Sequence, residues 1–108
     1  MGFRSIDSDG ALEEALGAKL FLLFKHSNRC SISGRAMGVL ESFLTEQPGL
    51  NAGVLDVVAE RALAQAAAQQ TGVPHASPQA ILIRDGAAVW DASHFDITAD
   101  ALRQATLQ

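Results

Sequence analysis

Lys19-Leu20-Phe21-Leu22-Leu23-Phe24-Lys25, followed at once by His26-Ser27-Asn28-Arg29-Cys30-Ser31-Ile32-Ser33, is the stretch that decides the fold. Residues 19–25 form a continuous apolar run of strand length between two lysines. A strand open to water on one face alternates apolar with polar side chains, whereas an unbroken run marks a strand covered on both faces. After the polar break at 26–29, Ile32, Ala36, Val39, Leu40, Phe43 and Leu44 recur at spacings of three and four, which is one stripe of an amphipathic helix. A buried strand running into such a helix is the first half of a strand–helix–strand unit, whose strands must pair in parallel.

Outward from this core the punctuation is clear. Upstream, Asp7-Ser8-Asp9-Gly10 caps a short helix at 11–16 that Gly17 ends. Downstream, Pro48-Gly49 stops the long helix, and 52–58 returns to strand character with Val54, Leu55, Val57 and Val58. Residues 60–71 are alanine-rich and read as a second helix, closed by Gly72. A loop at 73–78 holds Pro74 and Pro78, and two short strands, 80–84 and 87–92, meet at Asp85-Gly86, a strong hairpin signal. Asp96 and Thr98 precede a terminal helix reaching about Leu107. The order α-β-α-β-α-β-β-α predicts an α/β fold of thioredoxin-like arrangement: a central mixed four-stranded sheet flanked by helices, as a single domain over residues 1–108.

Composition narrows the function. A chain of 108 residues with 48% hydrophobic and 19% charged residues buries a core of its own rather than staying disordered. Twelve acidic against eight basic residues leave a net charge of −4, which argues against nucleic-acid or anionic-membrane partners, since both reward clustered lysine and arginine. No apolar run approaches the roughly 18 residues of a membrane span, and Met1-Gly2-Phe3-Arg4-Ser5-Ile6-Asp7 carries no signal-peptide apolar region. One cysteine excludes an internal disulfide and suits a reducing compartment, so the expected location is the cytoplasm.

That cysteine carries the chemistry. Cys30 falls between the buried strand and the helix, at or just before the first turn, where unpaired N–H groups and the helix dipole favour the nucleophilic thiolate. An unpaired cysteine is often just a small buried hydrophobe, but Ser27, Asn28, Arg29 and Ser31 are poor company for a core. Arg29 and Lys25 either add positive potential at the thiol or point into water. Ser33, one turn on, either donates a hydrogen bond to the thiolate or is plain helix surface. A lone thiol cannot resolve its own mixed disulfide, so any exchange begins or ends on a thiol from outside the chain.

Ser77-Pro78-Gln79 precedes the third strand, where a thioredoxin-like sheet places a cis-proline facing the active cysteine and a preceding backbone able to pair with an extended substrate. The alternative is an ordinary trans turn at the start of an edge strand, which suits Pro74 better than Pro78. His26, His75 and His94 match no compact zinc spacing, so no metal site is expected. His26 lies close enough in sequence to tune the thiol, and His75 lies in the proline loop.

Three blocks together resemble a known family. Phe24-Lys25-His26-Ser27 with Cys30-Ser31-Ile32-Ser33, then Gly72-Val73-Pro74-His75-Ala76-Ser77-Pro78-Gln79, then Val89-Trp90-Asp91-Ala92-Ser93-His94-Phe95-Asp96-Ile97-Thr98, are similar to the YtxJ family, the monothiol bacilliredoxins. The resemblance implies a thioredoxin fold and removal of bacillithiol from protein mixed disulfides, with Cys30 and Ser33 as catalytic residues. It maps the cis-proline role to Pro78, with Ser77 holding substrate backbone; Arg29, which departs from the family's pattern, and His75 are added as substrate-binding candidates from their places beside the cysteine and in the proline loop. It further implies no tightly bound cofactor, bacillithiol or another low-molecular-weight thiol as co-substrate, and S-thiolated proteins as partners. The family usually has proline after the cysteine; Ser31 here keeps an N–H that proline would remove. The competing readings are a non-catalytic thioredoxin-like module that grips partner segments beside Pro78 and, ranked last, an iron–sulfur carrier, whose Cys-Gly-Phe-Ser motif is absent.

Overall fold

The computed structural model describes residues 3–107. Its elements are β1 (Arg4–Ser5), α1 (Asp9–Leu16), β2 (Leu20–His26), α2 (Ser31–Glu46), β3 (Asn51–Asp56), α3 (Arg61–Thr71), β4 (Gln79–Arg84), β5 (Ala87–Ser93), a 3₁₀ turn (His94–Asp96) and α4 (Ala99–Leu107). The sheet order is β1-β3-β2-β4-β5. β1 and β2 both run parallel to β3, while β4 is antiparallel to β2 and β5 antiparallel to β4. The sheet therefore has five strands rather than the expected four. The extra one is two residues long and exposed, too short to show any alternation in sequence.

β2 is central because its side chains are apolar on both faces. Leu22 and Phe24 join a core with Ala36, Leu40 and Phe43 of α2 and Leu102 and Ala105 of α4. Phe21 and Leu23 point the other way, to Leu12 and Ala15 of α1 and Leu63, Ala64 and Ala67 of α3. Each of the large side chains among these contributes roughly 1.5–3 kcal/mol relative to exposure, so the two-sided strand anchors both layers.

Local signals set the ends. Ser8 caps α1 by accepting a hydrogen bond from the Ala11 N–H at 3.1 Å. Gly72 ends α3 in the left-handed region, where only glycine is free of a Cβ penalty. Asp85 and Gly86 both take positive φ, 52° and 77°, as a two-residue hairpin turn of the favoured twist requires. β4 continues to Gln79, one residue earlier than the expected strand, and pairs it with Lys25. No helix among the described residues is long and apolar enough to cross a membrane.

Candidate active site

Cys30 is the N-cap of α2, with extended backbone (φ −118°, ψ 121°), and its side chain makes no capping hydrogen bond. Its thiol is free and the residue half-buried. The Cys30 N–H donates to the Ser27 carbonyl at 3.2 Å, and the Cys30 carbonyl accepts from the Ser33 and Gly34 N–H groups at 3.1 and 3.2 Å. A tight turn over 27–30 thus delivers the cysteine to the start of a 16-residue helix. Cys30 therefore stands at the positive end of the α2 dipole, beside the first-turn N–H groups that have no intrahelical partner.

Ser33 departs from both expectations. It is fully buried, not helix surface, and its bonds run to the strand end rather than to the thiol. Its Oγ lies 2.6 Å from His26 Nδ1 and accepts from the Ser27 N–H at 3.0 Å. The hydroxyl and the imidazole nitrogen share the short contact, and the histidine tautomer decides which of them donates. The reason is helical geometry: Ser33 lies on the α2 face that also carries Ala36 and Leu40, both of which pack on the sheet. It braces β2 to α2 beneath the cysteine turn, and His26, which also stacks against Phe24 with ring centroids 5.4 Å apart, is its partner.

Lys25 corrects a second expectation. It neither points into water nor joins the thiol's side of the sheet; it is fully buried. Alternation along β2 sends Phe24 and His26 toward α2, so Lys25 faces the α1 and α3 layer with Phe21 and Leu23. Burial lowers its pKa from 10.5 to about 8, because the charged amine loses its hydration. Arg29, next to the cysteine, is exposed.

The Ser77–Pro78 peptide is cis. Pro78 is buried, and its carbonyl accepts from the His94 N–H at 3.0 Å, which ties the 3₁₀ turn to this loop. Ser77 makes no backbone hydrogen bond among the described residues. His75 is exposed on the same loop, its pKa lowered by partial desolvation and by the charge of Lys25. Since β2 ends at His26 and β4 begins at Gln79, paired with Lys25, the cysteine turn and the Pro78 loop leave the same end of the sheet. Beside them Arg35 of α2 lies over the exposed ring of Phe95, 5.4 Å from its centroid. Among the described residues no three histidine, cysteine, aspartate or glutamate side chains cluster as metal ligands would. His94 has positive φ, 54°, and its side chain is exposed.

Reading the sequence missed the Ser33–His26 brace and the burial of Lys25. The signal for both was the period of two along β2, which puts residues 24 and 26 on one face and 25 on the other.

A sheet of this order with one half-buried cysteine starting the helix after its central strand defines a redox protein of the thioredoxin fold that works with a single thiol. The signature of the family described as monothiol bacilliredoxin BrxC matches residues 5–102, and the chain belongs to that family. It is similar to a candidate oxidoreductase with a thioredoxin fold, at 34% identity over 95% of this chain and 92% of the other, with a TM-score of 0.90. The fold is also that of a mutant thioredoxin from Halobacterium salinarum NRC-1 (21% identity, 96% and 87% coverage, TM-score 0.77). Fasciola hepatica thioredoxin is a further match (20% identity, 97% of each chain, TM-score 0.74).

Proposed function

We propose that this protein is a monothiol disulfide reductase that removes bacillithiol, or another low-molecular-weight thiol, from S-thiolated proteins. The observation that carries the reading is the only cysteine of the chain standing as the N-cap of α2 with no partner for its sulfur among the described residues. The Cys30 thiolate attacks the small-thiol sulfur of the mixed disulfide. A new S–S bond joins Cys30 to the small thiol, the old S–S bond breaks, and the protein thiolate leaves and takes a proton from solvent. A second small-thiol molecule then attacks the adduct, and a small-molecule disulfide departs with Cys30 again a thiolate. No internal thiol competes for the adduct, so it persists until that second thiol arrives.

The free backbone of Ser77 supports pairing with an extended stretch of the substrate protein, with Pro78 beneath it, and exposed Arg29 and His75 flank the same end of the sheet. The test is turnover of a protein carrying a bacillithiol mixed disulfide, with bacillithiol, glutathione, coenzyme A and cysteine supplied in turn as second thiol. Release of the protein thiol that depends on Cys30 and on one thiol over the others is expected. Retention of the substrate by Cys30→Ser, with no release by the wild type under any of these thiols, would favour a binding module instead.

A further inference from the structure

Four buried side-chain nitrogen or oxygen atoms have no hydrogen-bond partner among the described residues, and three of them, Lys25 Nζ, Ser77 Oγ and Gln79 Oε1, belong to residues at one end of the sheet, where β2 finishes and the Pro78 loop enters β4. The fourth, Arg84 Nη2, lies at the opposite end of β4. Lys25 and Gln79 stand directly opposite in the β2–β4 ladder, which brings their Cβ atoms to roughly 5 Å. The Gln79 side chain reaches over the loop and donates from Nε2 to the Pro74 carbonyl at 3.0 Å, and the charge of Lys25 is felt at His75. Loop 74–79 is therefore tied through Gln79 to the strand position opposite a lysine whose amine is buried. The amine offers three donors, the amide oxygen accepts, and the hydroxyl does either, so the unpaired atoms are complementary rather than alike. Buried polar atoms are costly when unpaired, and one water with two to four polar partners is the usual way such a group is satisfied.

We propose that Lys25 is a positioning residue for the Pro78 loop: its amine, with Gln79 Oε1 and Ser77 Oγ, holds a buried water that fastens the loop to the end of β2 and keeps Ser77 ready to pair with a substrate backbone. The pairing half of this inference rests on the reductase reading; the fastening half does not. The His94 amide, bonded to the Pro78 carbonyl, reports directly on the loop.

The experiment compares wild type, Lys25→Met and Gln79→Met by amide hydrogen exchange and by steady-state kinetics on an S-thiolated protein. Losing the net worth of about one hydrogen bond speeds His94 exchange about tenfold in both variants, while Leu22 and Leu82 in the central strands keep their protection. KM rises by a similar factor and kcat stays within about twofold, because the thiol itself is untouched. Unchanged exchange at His94 in both variants overturns the proposal, and so does a loosened loop with unchanged KM in an active protein. A wild type that turns nothing over refutes the reductase reading alone, because His94 exchange still decides the role of Lys25.

Discussion

Removing the Ser33 hydroxyl tests how the thiol turn is built. Ser33→Ala leaves the part-buried Ser27 N–H without its acceptor and His26 without its partner. Stability should fall by about 1–3 kcal/mol, measured by urea unfolding, and exchange at Cys30 should slow as the 27–30 turn loosens. A loss below a few tenths of a kcal/mol would mean that the brace is dispensable. Lys25 acts in the opposite sense on global stability. Its folded pKa of about 8 lies below the 10.5 of an exposed lysine, so between those values the unfolded chain holds a proton that the folded chain has released. Stability therefore rises with pH across that window, while below it both states are charged and the full burial cost, roughly 3 kcal/mol, is present. Lys25→Met should be more stable at pH 7 by up to about that amount and should lose the alkaline rise, read from chemical denaturation at pH 7, 9 and 10.5. A wild type whose stability is flat over that range would show the amine to be solvated. Neither role is legible residue by residue: a lysine ending an apolar run looks like a solvated flank until the register fixes its face.

At the scale of elements, α2 begins with Ser31 at its first helical position. The Cys30 backbone already has the extended angles a residue before proline adopts, and the first helical position tolerates proline because its N–H has no intrahelical partner. Ser31→Pro should therefore fold, with stability unchanged or raised by up to about 1 kcal/mol, and it should react more slowly at Cys30 because one free N–H of the first turn, at the positive end of the dipole, is gone. A drop in thermal midpoint of many degrees would contradict the assigned start of the helix. β3 presents the reverse case. A Cβ on Gly53 would lie 2.8 Å from Phe21 Cζ and 2.9 Å from the Ile6 side chain, so Gly53→Ala should cost about 1–3 kcal/mol by overpacking, seen as a lowered melting midpoint. Gly53 gave no sign of this in sequence, because the crowding comes from β2 and from Ile6 just after β1, elements distant along the chain.

For the molecule as a whole, what could be read from the sequence was whatever local chemistry dictates. The apolar run of β2, the stripe of α2, Gly72 and the Asp85-Gly86 turn each announce one element, and their order leaves few topologies. β1 could not be read that way, since two exposed residues become a strand only by pairing with β3. The position of Cys30 was legible for the same reason as the fold: it sits at the boundary between the two strongest patterns. Ser33 and Lys25 were not, because their surroundings are set by packing across the sheet. The proposed reaction requires Cys30 to accept a small thiol from a protein and hold it unaided. The direct measurement is intact-mass analysis after one equivalent of the reduced protein meets a protein carrying one bacillithiol mixed disulfide, with no second thiol present. The expected result is transfer of the bacillithiol mass to Cys30 in equal proportion to the substrate thiol released, with none in Cys30→Ser. Substrate that keeps its bacillithiol while Cys30 stays unmodified would contradict it.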